Sequence, residues 1–94
     1  SHSEDNVKRI EEKRARLLRL LAEVYEMKGD YGKAENSLLK AKELAHKELA
    51  LKSLAKLYEK QGKYSQALKI NEELVELKKT KKINHKRNKK WRVL

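Results

Sequence analysis

The stretch that decides the fold runs from Leu17 to Ala41, LLRLLAEVYEMKGDYGKAENSLLKA, and it returns from Leu51 to Leu74 as LKSLAKLYEKQGKYSQALKINEEL. A single constant offset aligns Leu18 with Leu51, Leu21 with Leu54, Ala22 with Ala55, Tyr25 with Tyr58, Glu26 with Glu59 and Gly29 with Gly62. The same shift aligns Tyr31 with Tyr64, Ala34 with Ala67, Glu43 with Glu76 and Leu44 with Leu77. Most of these matches are apolar residues or glycine, the types that set packing and turns. A fixed period of this length is the mark of a stacked repeat, in which each unit buries its apolar face on the next.

Within each copy, Leu18, Leu21, Ala22 and Tyr25, and then Leu51, Leu54, Ala55 and Tyr58, recur at spacings of three and four, which predicts one buried helical face. Gly29 and Gly62 end these first helices, because glycine adopts the left-handed conformation without a Cβ clash. Asp30 suits the N-cap of the helix that follows, and Lys63, its counterpart, does not. The second helices carry Ala34, Leu38, Ala41 and Leu44, then Ala67, Ile70, Leu74 and Leu77. Small Ala22, Ala55, Ala34 and Ala67 let the helix axes approach closely, and Tyr31 and Tyr64 are expected to wedge the hairpins. Before the first copy, Val7, Ile10, Leu17, Leu21 and Val24 continue one apolar stripe, broken by Arg14, so the first helix is expected to start near residue 7. The junction KAKELAHKELALKS lacks Gly and Pro, which leaves two readings. One is a tight turn near Ala45 to Lys47. The other is an uninterrupted helix over residues 33–61 that swaps hairpins between two chains.

The order Leu, small residue, Tyr, Gly, Tyr, Ala in both stretches resembles the tetratricopeptide repeat family. The likeness covers roughly two thirds of the chain. This chain departs from the family pattern in a period one position shorter than usual, in lacking the proline that often closes a repeat, and in placing Asn71 where a bulky apolar residue is common. The resemblance implies an all-α fold of right-handed helical-hairpin repeats, a small α-solenoid with two antiparallel helix pairs and a C-terminal capping or extended helix. It also implies a groove lined by the first helix of each repeat. The residues facing it would be Arg16, Arg19, Leu20, Glu23 and Met27 from the first copy and Leu49, Lys52, Ser53, Lys56 and Lys60 from the second. That surface is mainly basic, so charge complementarity favours an acidic peptide or helix of a partner protein. A subgroup of the family grips a C-terminal carboxylate with Lys, Asn and Arg. Arg19 and Lys52 resemble its basic positions, but Glu23 and Ser53 stand where it uses Asn.

The charge is unevenly distributed. Of the Lys and Arg residues, nine lie between Lys78 and Leu94, KKTKKINHKRNKKWRVL, a segment that contains no acid. From Ser1 to Leu77 bases and acids nearly balance. The tail cations Lys81, Lys82, Lys86, Arg87, Lys89, Lys90 and Arg92 therefore carry most of the net charge of +11. Trp91 follows Tyr58 by the same offset that separates Tyr58 from Tyr25, so it falls on the register of the repeat tyrosine, while Asn84, Arg87 and Asn88 occupy the apolar positions. This argues against a third full repeat. Three readings of the tail stay open. It is a helical cap or extension with Trp91 as packing anchor; a basic arm for RNA, DNA or an acidic protein, with Trp91 stacking on a base; or an import-like signal in KKTKK and KRNKK. Membrane-surface binding by the tail is a weaker alternative.

Catalytic chemistry has no foothold in this pattern. Cysteine is absent, and His2, His46 and His85 lie far apart in sequence, with no metal-ligand spacing. Adjacent Glu11-Glu12 and Glu72-Glu73 point about 100° apart on a helix and form no carboxylate dyad. Ser37, Ser53 and Ser65 lack a neighbouring base, and the three glycines lie in or beside the hairpin turns and form no phosphate loop. The expectation is a non-enzymatic adaptor with no cofactor and no metal, in the cytoplasm or nucleus, read as a fragment or end of a larger chain. Residues 1–6 are expected to be a disordered start bearing a tag remnant, residues 7–47 the first hairpin, 48–80 the second, and 81–94 the basic tail or cap.

Overall fold

A computed structural model describes the backbone of residues 2–93 and the side chains of residues 3–81. It contains helices α1 (His2–Met27), α2 (Tyr31–Leu44), α3 (Lys47–Lys60) and α4 (Tyr64–Val93), with no strand among the described residues. The two halves turn in the same way. Gly29 and Gly62 take φ of +80° and +74°. The amide of Asp30 donates to the Tyr25 carbonyl at 2.8 Å, and that of Lys63 donates to the Tyr58 carbonyl at 2.8 Å. With Gly29 and Gly62 donating to Glu26 and Glu59, each first helix closes in a Schellman turn. Asp30 then caps α2, its carboxylate accepting from the Lys33 amide at 3.3 Å.

The chain breaks at the junction, as the tight-turn reading expects. His46 adopts a left-handed conformation (φ 51°, ψ 54°) between α2 and α3, so the uninterrupted helix over residues 33–61 is not formed. Glu12 of α1 contacts the turn, its carboxylate lying 2.9 Å from His46 Nε2.

Packing runs in sequence, α1 on α2, α2 on α3 and α3 on α4, with a lighter contact between α1 and α3. One continuous core gathers Ala22, Ala34, Leu38, Leu51, Leu54, Leu57, Tyr58, Ala67 and Leu74, drawn from both repeats. A satellite of Ala15, Ala41 and Ala50 lies beneath the His46 turn. The small residues on α1, α2 and α3 permit that close approach.

Three expectations are corrected. Leu21, expected on the buried face with Leu18, Ala22 and Tyr25, is exposed together with Val7, Ile10, Leu17 and Val24, because among the described residues no helix packs on that side of α1. Tyr64 is 70% exposed at the first position of α4 and so does not wedge its hairpin, whereas Tyr31, at the first position of α2, is more covered and lines the groove wall with Glu26 and Met27 of α1. Helix α1 starts at His2, ahead of residue 7, so its backbone is helical through residues expected to be disordered. Glu4 and Asp5 in its first turn favour this extension, since carboxylates stabilise the positive end of a helix dipole.

Helix α4 passes residues 80 and 81 without interruption, so the basic segment begins as a continuation of the second repeat. Lys81 is tied to Glu48 of α3 at 3.4 Å. Trp91 and the cations Lys82, Lys86, Arg87, Lys89, Lys90 and Arg92 lie outside the described side chains.

Candidate functional site

Helices α1 and α3 present one side each to a shared open groove of about 500 Å³. Six of the ten residues singled out from the sequence meet there: Arg19, Glu23 and Met27 from α1, and Ser53, Lys56 and Lys60 from α3. Ala22, Glu26, Tyr31 and Leu38 complete the wall. The other four, Arg16, Leu20, Leu49 and Lys52, are exposed and do not line this cavity. Lys52 is turned toward Glu48, one helical turn earlier, at 3.9 Å. The carboxylate-clamp pairing of Arg19 with Lys52 is therefore not assembled, because only Arg19 reaches the cavity.

The groove is less basic than its sequence suggests. Lys60 bridges the two repeats by pairing with Glu26, and that hydrogen bond and charge hold its ammonium above the usual lysine range. Its charge is thereby largely answered from within the fold. Arg19 differs: its Nη1 is buried and has no hydrogen-bond partner. A guanidinium nitrogen buried without an acceptor is costly. Nearby Lys56 adds an exposed cation, and Met27 an exposed, adaptable apolar surface.

Polar contacts between the repeats fix the relative placement of the groove walls. Glu73 of α4 accepts from Lys42 of α2 at 3.1 Å and from Lys47 of α3 at 3.3 Å. Burial pushes the Glu73 carboxyl up, but the bonds to Lys42 and Lys47 outweigh it and leave the group below its ordinary value. Across the α2–α3 seam, burial and then the Glu35 carboxylate, which accepts from its hydroxyl, push Tyr58 up to about 12. Sequence reasoning missed Glu26, Glu35 and Glu73. Their only signal was an acid in one copy facing a base or hydroxyl in the other, and pairing them requires the stacking geometry.

No helix among the described residues is long and apolar enough to cross a membrane. A family model for the tetratricopeptide repeat matches residues 13–80, well over half of the chain. Searches of curated proteins and of solved structures return no match. The paired hairpins, their repeated glycine turns and this match agree: the chain belongs to the tetratricopeptide repeat family, whose repeats serve as protein–protein interaction modules.

Proposed function

We propose that this module binds an acidic, extended segment of a partner protein in the α1–α3 groove. The observation that carries the reading is the buried, unpartnered Nη1 of Arg19 in the wall of that groove. The half-buried Arg19 side chain turns outward to an incoming carboxylate, which supplies the acceptor, and charge-assisted hydrogen bonds of this kind are about twice as strong as neutral ones. Lys56 serves a second acid, and Met27 and the exposed edge of Tyr31 pack against aliphatic side chains between the acids. The role is that of an adaptor without chemistry of its own.

The test is fluorescence anisotropy with a labelled peptide of about 12 residues alternating Glu and Leu, against the same peptide with Lys in place of Glu. The Glu peptide should bind the more tightly. Arg19→Ala should weaken it on the order of tenfold, the cost expected for one charge-assisted contact. Truncation after Lys81 should leave the affinity unchanged. Equal affinity of the native protein and Arg19→Ala, or binding abolished by the truncation, would move recognition to the basic tail and its alternative partners, RNA or DNA.

A further inference from the structure

The two repeats place the same register positions in opposite environments. Ala50, Leu54 and Leu57 of α3 are 0, 0 and 1% exposed, because the first repeat stacks against them. Their counterparts one repeat earlier, Leu17, Leu21 and Val24 of α1, are 64, 40 and 46% exposed. Beside them, Leu17, Leu18, Leu39 and Leu44 line a groove of about 700 Å³ between α1 and α2. At the far end of the molecule, Leu68 and Val75 of α4 are exposed in a shallower groove with Asn71, Glu72 and Glu76. These α4 positions correspond to Glu35, Leu38, Lys42 and their neighbours, the face of α2 that covers the second repeat inside the chain.

We infer that a second copy of this chain occupies the exposed α1–α2 edge, stacking head to tail so that its α4 takes the place that α2 holds over the second repeat. Three observations select this occupant. The contact extends an interface the fold already uses, with Val75 laid toward Leu17 and Leu68 toward Val24 as α2 is laid on α3. The flanking charges are complementary on balance: the α1–α2 edge carries Arg14 and Lys40 against one acid, Glu43, and the α4 edge carries Glu72 and Glu76, the latter also paired with Lys79 of its own helix at 3.6 Å. This polarity is the reverse of the internal seam, where Lys42 lies on the covering helix and Glu73 on the covered side. The lengths also match. Helices α2 and α3 have 14 residues each, whereas α1 has 26 and α4 has 30. Both long helices overrun the same end of the stack, since Glu12 of α1 and Lys81 of α4 flank the His46 turn through His46 and Glu48. Only α1 and α4 of different copies pair along that length, antiparallel like α2 and α3. Such a contact is heterologous and does not close on itself, so it produces a ladder of oligomers.

Sedimentation equilibrium on the full chain tests this. The weight-average mass should rise from 11.1 kDa with concentration and pass beyond the dimer. Leu21→Glu on the α1 edge and Val75→Lys on the α4 edge should each return the protein to monomer with helicity unchanged. Leu17→Glu replaces Leu21→Glu should that variant lose helicity. An equimolar mixture of the two edge variants should form a dimer and stop there, because each variant keeps the edge the other has lost. A monomer at every concentration, a dimer insensitive to both substitutions as hairpin exchange predicts, or a mixture that stays monomeric would each overturn the inference.

Discussion

Leu54 and Leu21 occupy equivalent positions on equivalent helices, yet Leu54 is wholly buried and Leu21 is 40% exposed. The difference lies in what stands beside them. Leu54 faces the first repeat, and Leu21 faces outward. In a stacked-repeat fold, burial is a property of the interface between units, and an apolar stripe on a terminal unit marks an interface left open.

Truncating both leucines probes this difference most directly. Leu54→Ala should cost about 3 kcal/mol, as is typical of a core cavity, whereas Leu21→Ala in the monomer should cost about 1 kcal/mol or less. Urea denaturation reads both, and equal losses would mean that the two edges are not energetically distinct. A smaller effect is expected at the hairpin turns, which the two repeats share. Gly29→Ala and Gly62→Ala each force a Cβ into a left-handed residue and should cost roughly 1–2 kcal/mol, nearly equal in the two positions. Unequal losses would show that the repeats differ within their hairpins as well as at their edges. Next, Lys63→Asp should give α4 the cap that Asp30 gives α2, raising stability by about 1 kcal/mol in thermal unfolding. The smallest effect belongs to the seam carboxylate. Glu73 has a folded pKa below its ordinary 4.5, so its contribution is present at neutral pH and is lost as pH falls through and beneath that value. Because the group is about a third exposed, that contribution should stay below about 1 kcal/mol. Glu73→Gln should flatten the acid limb of the stability profile as pH falls below the ordinary value of 4.5, without moving the neutral plateau by more than this amount.

The helical hairpins are legible in the sequence because glycine, alanine and leucine impose local geometry wherever they recur. Gly29 and Gly62 predict both turns, and Asp30 its cap. The stripe from Val7 to Val24 misleads because periodicity records which face of a helix is apolar and is silent on whether anything covers it. Tyr64 misleads for a related reason, since a repeated aromatic at a helix start need not point inward in both copies. In the groove, Arg19, Glu23, Met27, Ser53, Lys56 and Lys60 are identifiable from helical spacing and the repeat resemblance. Lys52 and Arg16 share the same helix faces, but they fall outside the cavity, which begins at Arg19 on α1 and at Ser53 on α3. The pairing of Lys60 with Glu26 cannot be read at all, because those residues meet only once the repeats stack.

The central functional claim is that recognition resides in the α1–α3 groove. It is tested most directly by titrating the isotopically labelled protein with the Glu-Leu peptide and mapping the backbone NMR shifts. The largest changes should fall on Arg19, Glu23, Lys56 and Lys60, with the Arg19 side-chain signal moving most as its guanidinium gains an acceptor. Shifts confined to residues 78–94, with Arg19 unmoved, would contradict the claim.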